Sequence, residues 1–190
     1  MSNCPILGTL TLINNAGIFE PKPFAQITDE DWFTFFEVNV MSGIRLARHY
    51  FPKMIRKNWG RVIFISSESA VFIPAEMIHY GMTKTAQIAV SRGLAELTQG
   101  TNVTVNAILP GPTKSKGVAV FLEDLSKSSG KNLGEIEEDF FKNMRPTSLL
   151  QRFASVEEIA NTTVYFSSPL ASATNGASIR VEGGLIKSIL

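Results

Sequence analysis

A parallel β-sheet covered by helices, an α/β fold, is what this sequence predicts, and three observations predict it. Short apolar runs rich in β-branched residues recur along the chain, longer stretches with helical periodicity separate them, and those stretches carry their own capping signals. Such alternation favours parallel strands joined by crossover helices. The 190 residues, 44% of them hydrophobic, suffice for one domain with a substantial core.

The first strand is expected at Thr9 to Ile13. Thr28, with Asp31 three residues on, then reads as a capping box. It opens a long helix through Trp32, Phe35, Phe36, Val38 and Val40 toward Lys57, apolar enough to be buried on more than one side. A second strand follows at Arg61 to Ser66, then a helix from about Ile78 to Gln99 ending at Gly100, then a third strand at Val103 to Leu109. Residues 111–150 carry no strand signal and are too long for an ordinary connection, which predicts a functional insertion or a substrate-covering lid, with a peripheral helical hairpin as the plainer alternative. Within it Val118, Phe121, Leu122 and Leu125 form one helical stripe and Ile136, Phe140, Phe141 and Met144 another, joined by a flexible segment from Ser126 to Gly134. A further helix starts at Ser155, where Glu158 completes a second capping box ahead of Ile159, Val164 and Phe166. The last strand is Ala177 to Val181.

Composition narrows the function. A formal charge of +1 with scattered Lys and Arg gives no footprint for nucleic acid or an anionic membrane. The apolar run Ile6 to Ile13 is too short to span a bilayer and has no basic residue before it, so a cytoplasmic protein is expected. One cysteine, Cys4, and two distant histidines, His49 and His79, suggest no metal site.

The chemistry concentrates around Tyr80. Lys84 lies four residues on, so a helix places its ammonium on the same face as the phenol, where a cation favours phenolate and makes the tyrosine a better acid/base. Ser67 follows the second strand at a carboxyl end of the sheet, where open α/β sheets bind ligands. Its hydroxyl can reach the same substrate oxygen. Singly, each residue also suits a plainer role: a solvated phenol, a surface cation, a helix cap. His79, about 100° round the helix from Tyr80, reads as a surface or subunit-contact residue.

Asn14-Asn15-Ala16-Gly17, Asn39-Val40, Ile65-Ser66-Ser67, Tyr80-Gly81-Met82-Thr83-Lys84, Val105-Asn106, Pro110-Gly111 and Val181-Glu182-Gly183-Gly184 together resemble the ordered motifs of the short-chain dehydrogenase/reductase (SDR) family, over essentially the whole chain. The resemblance implies a Rossmann-like, doubly wound parallel sheet and an NAD(P)-dependent oxidoreductase acting on a carbonyl or alcohol. It implies Tyr80 as catalytic acid/base, Ser67 polarising the substrate oxygen, with Ser66 and Ser69 as less well spaced hydroxyls. Lys84 holds the nicotinamide ribose and lowers the Tyr80 pKa, and Asn39 holds a water in a proton relay. Asn15, Ala16 and Gly17, with Pro110, Gly111, Thr113 and Ser115, are implied along the cofactor beside Tyr80 and Lys84. Phe72, Ile73 and Met77 hint at a partly apolar substrate.

The same resemblance implies that residues 1–190 form a single partial Rossmann-type domain with its lid at about 111–150. Three strands and the Gly-rich loop that precede Thr9 in the family are expected to be missing, roughly 60–80 residues if each βαβ unit takes about 30 or more. With them would go the helix N-terminus that receives the pyrophosphate and the residue that separates NAD from NADP. The sequence thus supports two readings: an SDR oxidoreductase using NAD or NADP on a small-molecule carbonyl/alcohol substrate, or a truncated, inactive SDR chain acting at most as an oligomerisation subunit. Either permits a homodimer or homotetramer through the two long helices.

Overall fold

Strands β1 (Thr11–Asn14), β2 (Gly60–Ile65), β3 (Val103–Pro110) and β4 (Ser178–Val181) pair in parallel, in the order β1-β2-β3-β4. The computed structural model describes residues 10–189. Cys4 and Thr9, the predicted start of the first strand, lie outside them. Among the described residues β1 is an edge strand, and Ile13 on it is half-exposed.

The two central strands are buried along nearly their whole length because helices cover both faces. On one face Leu12, Val62, Phe64 and Val105 pack against Ala47, Phe51 and Met54. On the other, Ile63 and Ile108 meet Phe166 and Ala171. The first group of partners comes from α2 (Ser42–Lys57), which ends at Asn58 in the left-handed conformation. Phe166 comes from α6 (Val156–Ser167).

Both predicted capping boxes form. Thr28 starts α1 (Asp29–Phe36), its Oγ1 accepting from the Asp31 amide at 3.2 Å while Asp31 accepts from the Thr28 amide at 2.8 Å. Ser155 and Glu158 do the same for α6. The helix expected from Asp29 to Lys57 is continuous but carries a π turn, Glu37–Met41, between α1 and α2. Helix α3 (Ile78–Glu96) runs slightly shorter than expected.

The lid folds as α4 (Lys116–Ser129), α5 (Leu133–Asp139) and a second π turn, Phe140–Met144. Both apolar stripes are helical as predicted, but the expected flexible joint from Ser126 to Gly134 is mostly helix, reduced to residues 130–132. Asn132 caps α5, and Leu122, Ile136, Phe141 and Phe153 bury one another in a small core. That core gives the lid cohesion of its own. No helix among the described residues is long and apolar enough to cross a membrane.

His79 corrects the sequence reading. It is 0% exposed, its ring 4.1 Å from that of Phe35 and 5.9 Å from that of Trp32, and neither ring nitrogen has a hydrogen-bond partner among the described residues. The aromatic face of α1 reaches over it, which position on α3 alone does not reveal. Burial pushes the His79 pKa below its ordinary 6.5, partly offset by the charges of Asp31 and Glu20. A histidine held neutral by the fold takes up its proton on unfolding, so this contribution to stability is present above about pH 6.5 and declines as pH falls below it. Thermal unfolding at pH 7.5 and pH 5.5 should therefore show a larger loss of Tm in the parent chain than in His79→Leu.

Candidate active site

The carboxyl ends of β1, β2 and β3 converge on a cavity of about 350 Å³. Gly17 and Phe19 approach from the loop after β1, Ser67 from the end of β2, Tyr80 and Lys84 from α3, and Phe121 from the lid. Parallel sheets offer this crevice because loops diverge there toward opposite faces.

Ser67 caps a short 3₁₀ turn, Glu68–Ala70. Its Oγ accepts from the Ser69 amide at 3.1 Å and donates to Glu68 Oε2 at 3.3 Å. The Ser66 hydroxyl donates to the Lys84 carbonyl at 2.8 Å, and the Ser69 hydroxyl donates to Glu68. Of the three serines, Ser67 has the hydroxyl that faces the tyrosine, as its effect on the Tyr80 pKa reflects.

Lys84 is 6% exposed. Its Nζ donates to the Ile65 carbonyl at 3.0 Å and to Gln87 Oε1 at 3.3 Å, and lies 5.6 Å from the centre of the Tyr80 ring. Burial pulls the Lys84 pKa down to about 8. The Tyr80 phenol is pushed up to about 12, chiefly by burial, with the Ser67 hydroxyl offsetting part of the rise and the Glu68 charge adding to it. The expectation that Lys84 lowers the tyrosine is therefore not met in this arrangement. The ammonium is turned toward a carbonyl and an amide, and desolvation of the phenolate dominates.

Asn39 sits in the π turn with 0% exposure, behind the cavity rather than on its wall. Its Oδ1 accepts from the Ile18 amide at 2.7 Å, and its Nδ2 donates to the Ile18 carbonyl at 3.0 Å and to Thr83 Oγ1 at 2.9 Å. Its own carbonyl accepts from Gln87 Nε2 at 2.5 Å. Gln87 thus bridges the Asn39 carbonyl and the Lys84 ammonium, a link that only its place three residues after Lys84 on a helix hints at.

The other expected cofactor residues divide. Asn15, Gly17, Pro110, Gly111, Thr113 and Ser115 line the cavity; Ala16 does not. A Cβ added to Gly17 would stand 3.4 Å from Lys84 Nζ, so the glycine keeps open the space beside the ammonium. A Cβ on Gly111 would come within 2.7 Å of Glu182 Cα, so packing against the end of β4 requires that glycine whatever binds nearby. The Thr113 hydroxyl donates to the Gly111 carbonyl at 2.8 Å, and Ser115 caps α4. Met77 is on the wall, whereas Phe72 and Ile73 are half-exposed outside it. The sequence reading passed over Glu68 and Arg145: Glu68 is only a neighbour of Ser67, and nothing local marks Arg145.

A family model described as enoyl-(acyl carrier protein) reductase matches residues 8–186. The chain is 53% identical over 178 residues to the uncharacterized oxidoreductase YvrD of Bacillus subtilis, covering 94% of this chain and 68% of that one. The chain belongs to the short-chain dehydrogenase/reductase family. It is accordingly an enzyme of the oxidoreductase class. It is also 32% identical to the 3-oxoacyl-[acyl-carrier-protein] reductase FabG of Aquifex aeolicus, over 92% of this chain and 64% of that one. The L-sorbose reductase of Gluconobacter frateurii, solved in complex with NADPH and L-sorbose, superimposes with a TM-score of 0.87 at 30% identity, over 94% of this chain and 67% of that one. This SDR chain thus spans about two thirds of the length of these relatives.

Asn39→Ala would leave the Thr83 hydroxyl and the Ile18 backbone short of buried partners. Urea denaturation should show a loss of about 1–3 kcal/mol, the usual cost of orphaned buried polar groups.

Proposed function

We propose that this chain transfers a hydride between a nicotinamide cofactor, NAD or NADP, and a carbonyl/alcohol carbon, with Tyr80 as the acid/base. The observation that carries this reading is the convergence of Ser67, Tyr80 and Lys84 on one cavity at the carboxyl edge of the parallel sheet.

The residues fit the nicotinamide-ribose half of such a cofactor. An ammonium has three N–H donors; Lys84 spends two on Ile65 and Gln87 and keeps one. Gly17 leaves space beside it. Lys84 and Tyr80 would hold the ribose, Asn15 and Gly17 would run along the cofactor, with Ala16 off the cavity wall, and Pro110, Gly111, Thr113 and Ser115 would face the carboxamide side. The bound cofactor supplies or accepts the hydride; the protons belong to the protein.

With its pKa pushed up to about 12, the Tyr80 phenol is protonated at neutral pH and suited to donate to a carbonyl oxygen, which favours the reductive direction. Ser67 Oγ would turn its proton from Glu68 Oε2 to the same oxygen, polarising the carbonyl as charge develops. Aromatic and aliphatic side chains make up much of the wall around that transfer.

Titrating the purified chain with NADH and NADPH should give a saturable change in nicotinamide fluorescence in the micromolar range typical of working enzymes. A folded chain that binds neither overturns the cofactor assignment. In a carbonyl-reduction assay Tyr80→Phe should lower kcat by about 10²–10⁴-fold, the usual contribution of a positioned proton donor, with the fold intact by circular dichroism. The pH profile of kcat/KM for reduction should be flat through neutrality and decline above about pH 8, where Lys84 loses its charge. Alcohol oxidation needs phenolate as well as the charged Lys84, so its rise with pH should flatten above about pH 8.

A further inference from the structure

One part of the cavity differs from the rest. The wall is apolar at Phe121, Leu122 and Phe153, but Glu68, Glu76 and Arg145 meet in one cluster and all three line it. Glu68 and Arg145 are 4% and 6% exposed. Arg145 Nε lies 3.4 Å from Glu68 Oε1, and its Nη1 donates to Glu76 Oε1 at 3.3 Å and to the Met144 carbonyl at 2.9 Å. Two carboxylates thus share one guanidinium.

The acceptors in this cluster are unequally used. Glu68 already takes hydrogen bonds from Ser67, Ser69 and Arg145. Glu76 has a side chain 35% exposed, and only its Oε1 has a partner among the described residues. Among the described residues no second cation balances the pair: Lys22 is engaged by Asp31 at 2.6 Å, and Lys84 is turned to Ile65 and Gln87. An incoming ammonium or hydroxyl would find an unused carboxylate oxygen, and a carboxylate would be desolvated against like charge.

We propose that Glu68, Glu76 and Arg145 form the specificity-determining part of the substrate cavity. It receives an ammonium or hydroxyl group remote from the reacting carbonyl and excludes a carboxylate at that place. This rests on the oxidoreductase reading of the same cavity and adds the chemical class of its substrate: a carbonyl compound with an apolar body and a neutral or cationic hydrogen-bond donor. Glu76 makes the discriminating contact, while Glu68 and Arg145 hold it in place.

The test uses a matched pair of ketones, 4-acetylbenzylamine and 4-acetylbenzoate. Their binding to the parent chain and to Tyr80→Phe is measured by ligand-observed NMR, so no turnover is needed. The amine should bind at least tenfold more tightly in both proteins. Glu76→Gln, at a partly exposed position and checked for fold by circular dichroism, should reduce that ratio at least fivefold by restoring binding of the carboxylate. Equal affinities, a preference for the benzoate, binding of neither ketone, or a ratio unchanged in Glu76→Gln would each overturn the proposal. Selective binding without reduction by the parent chain when NADH or NADPH is supplied would fail the hydride-transfer reading and uphold this one.

Discussion

A π turn inside an otherwise regular helix disturbs the i→i−4 ladder, and such turns persist where the disturbance serves the surroundings. Here the turn at Glu37–Met41 brings the Asn39 side chain against the backbone of Ile18 and the hydroxyl of Thr83, while the Asn39 carbonyl accepts from Gln87. Three segments distant in sequence are thereby joined: the loop after β1, the α1–α2 helix and α3. Gln87 carries the connection on to Lys84, and Thr83 donates to the Tyr80 carbonyl at 2.7 Å. Asn39, Thr83, Lys84 and Gln87 are buried, so the bonds among them are stronger than in water. Placement of the phenol and the ammonium rests on this asparagine.

Burial also decides the electrostatics. Tyr80 and Lys84 are both displaced toward their neutral forms, the phenol upward and the ammonium downward, as desolvation requires when charge–charge compensation is weak. The result is a protonated phenol beside an ammonium that burial displaces toward its neutral form. Beside it, Glu68 is buried next to Ser67, its pKa raised by desolvation against the opposing effects of Ser69 and Arg145. The Ser67 proton is directed to that carboxylate until a better acceptor arrives.

Residues 111–150 wall this environment as a folded unit. Its base is held where Thr113 bridges to Ala154, with the Lys114 amide donating to the Ala154 carbonyl at 2.8 Å and the Ala154 amide to the Pro112 carbonyl at 2.9 Å. Its far end is held where Arg145 meets Glu68 and Glu76. Between these anchors the Leu122, Ile136, Phe141 and Phe153 core keeps α4 and α5 together. This unit therefore supplies much of the cavity's apolar wall and the guanidinium that Glu68 and Glu76 share.

Much of this was legible in the chain itself because the signals are local. Period-2 and period-3.6 hydrophobicity, the Thr28 and Ser155 capping boxes, and the four-residue spacing of Tyr80 and Lys84 depend only on near neighbours, and they placed every strand and long helix and the face that holds the phenol and ammonium. The ordered motifs placed Ser67 at the end of β2. Tertiary structure alone decided the rest. His79 is buried because Phe35 and Trp32 come over it from α1, and Gln87 reaches the Asn39 carbonyl across 48 positions of sequence. Arg145 meets Glu68 across 77 positions. The direction of the tyrosine's pKa likewise follows from how much water the packed cavity excludes and from where the Lys84 ammonium points. Desolvation and long-range pairing are properties of the assembled core, and no local pattern encodes them.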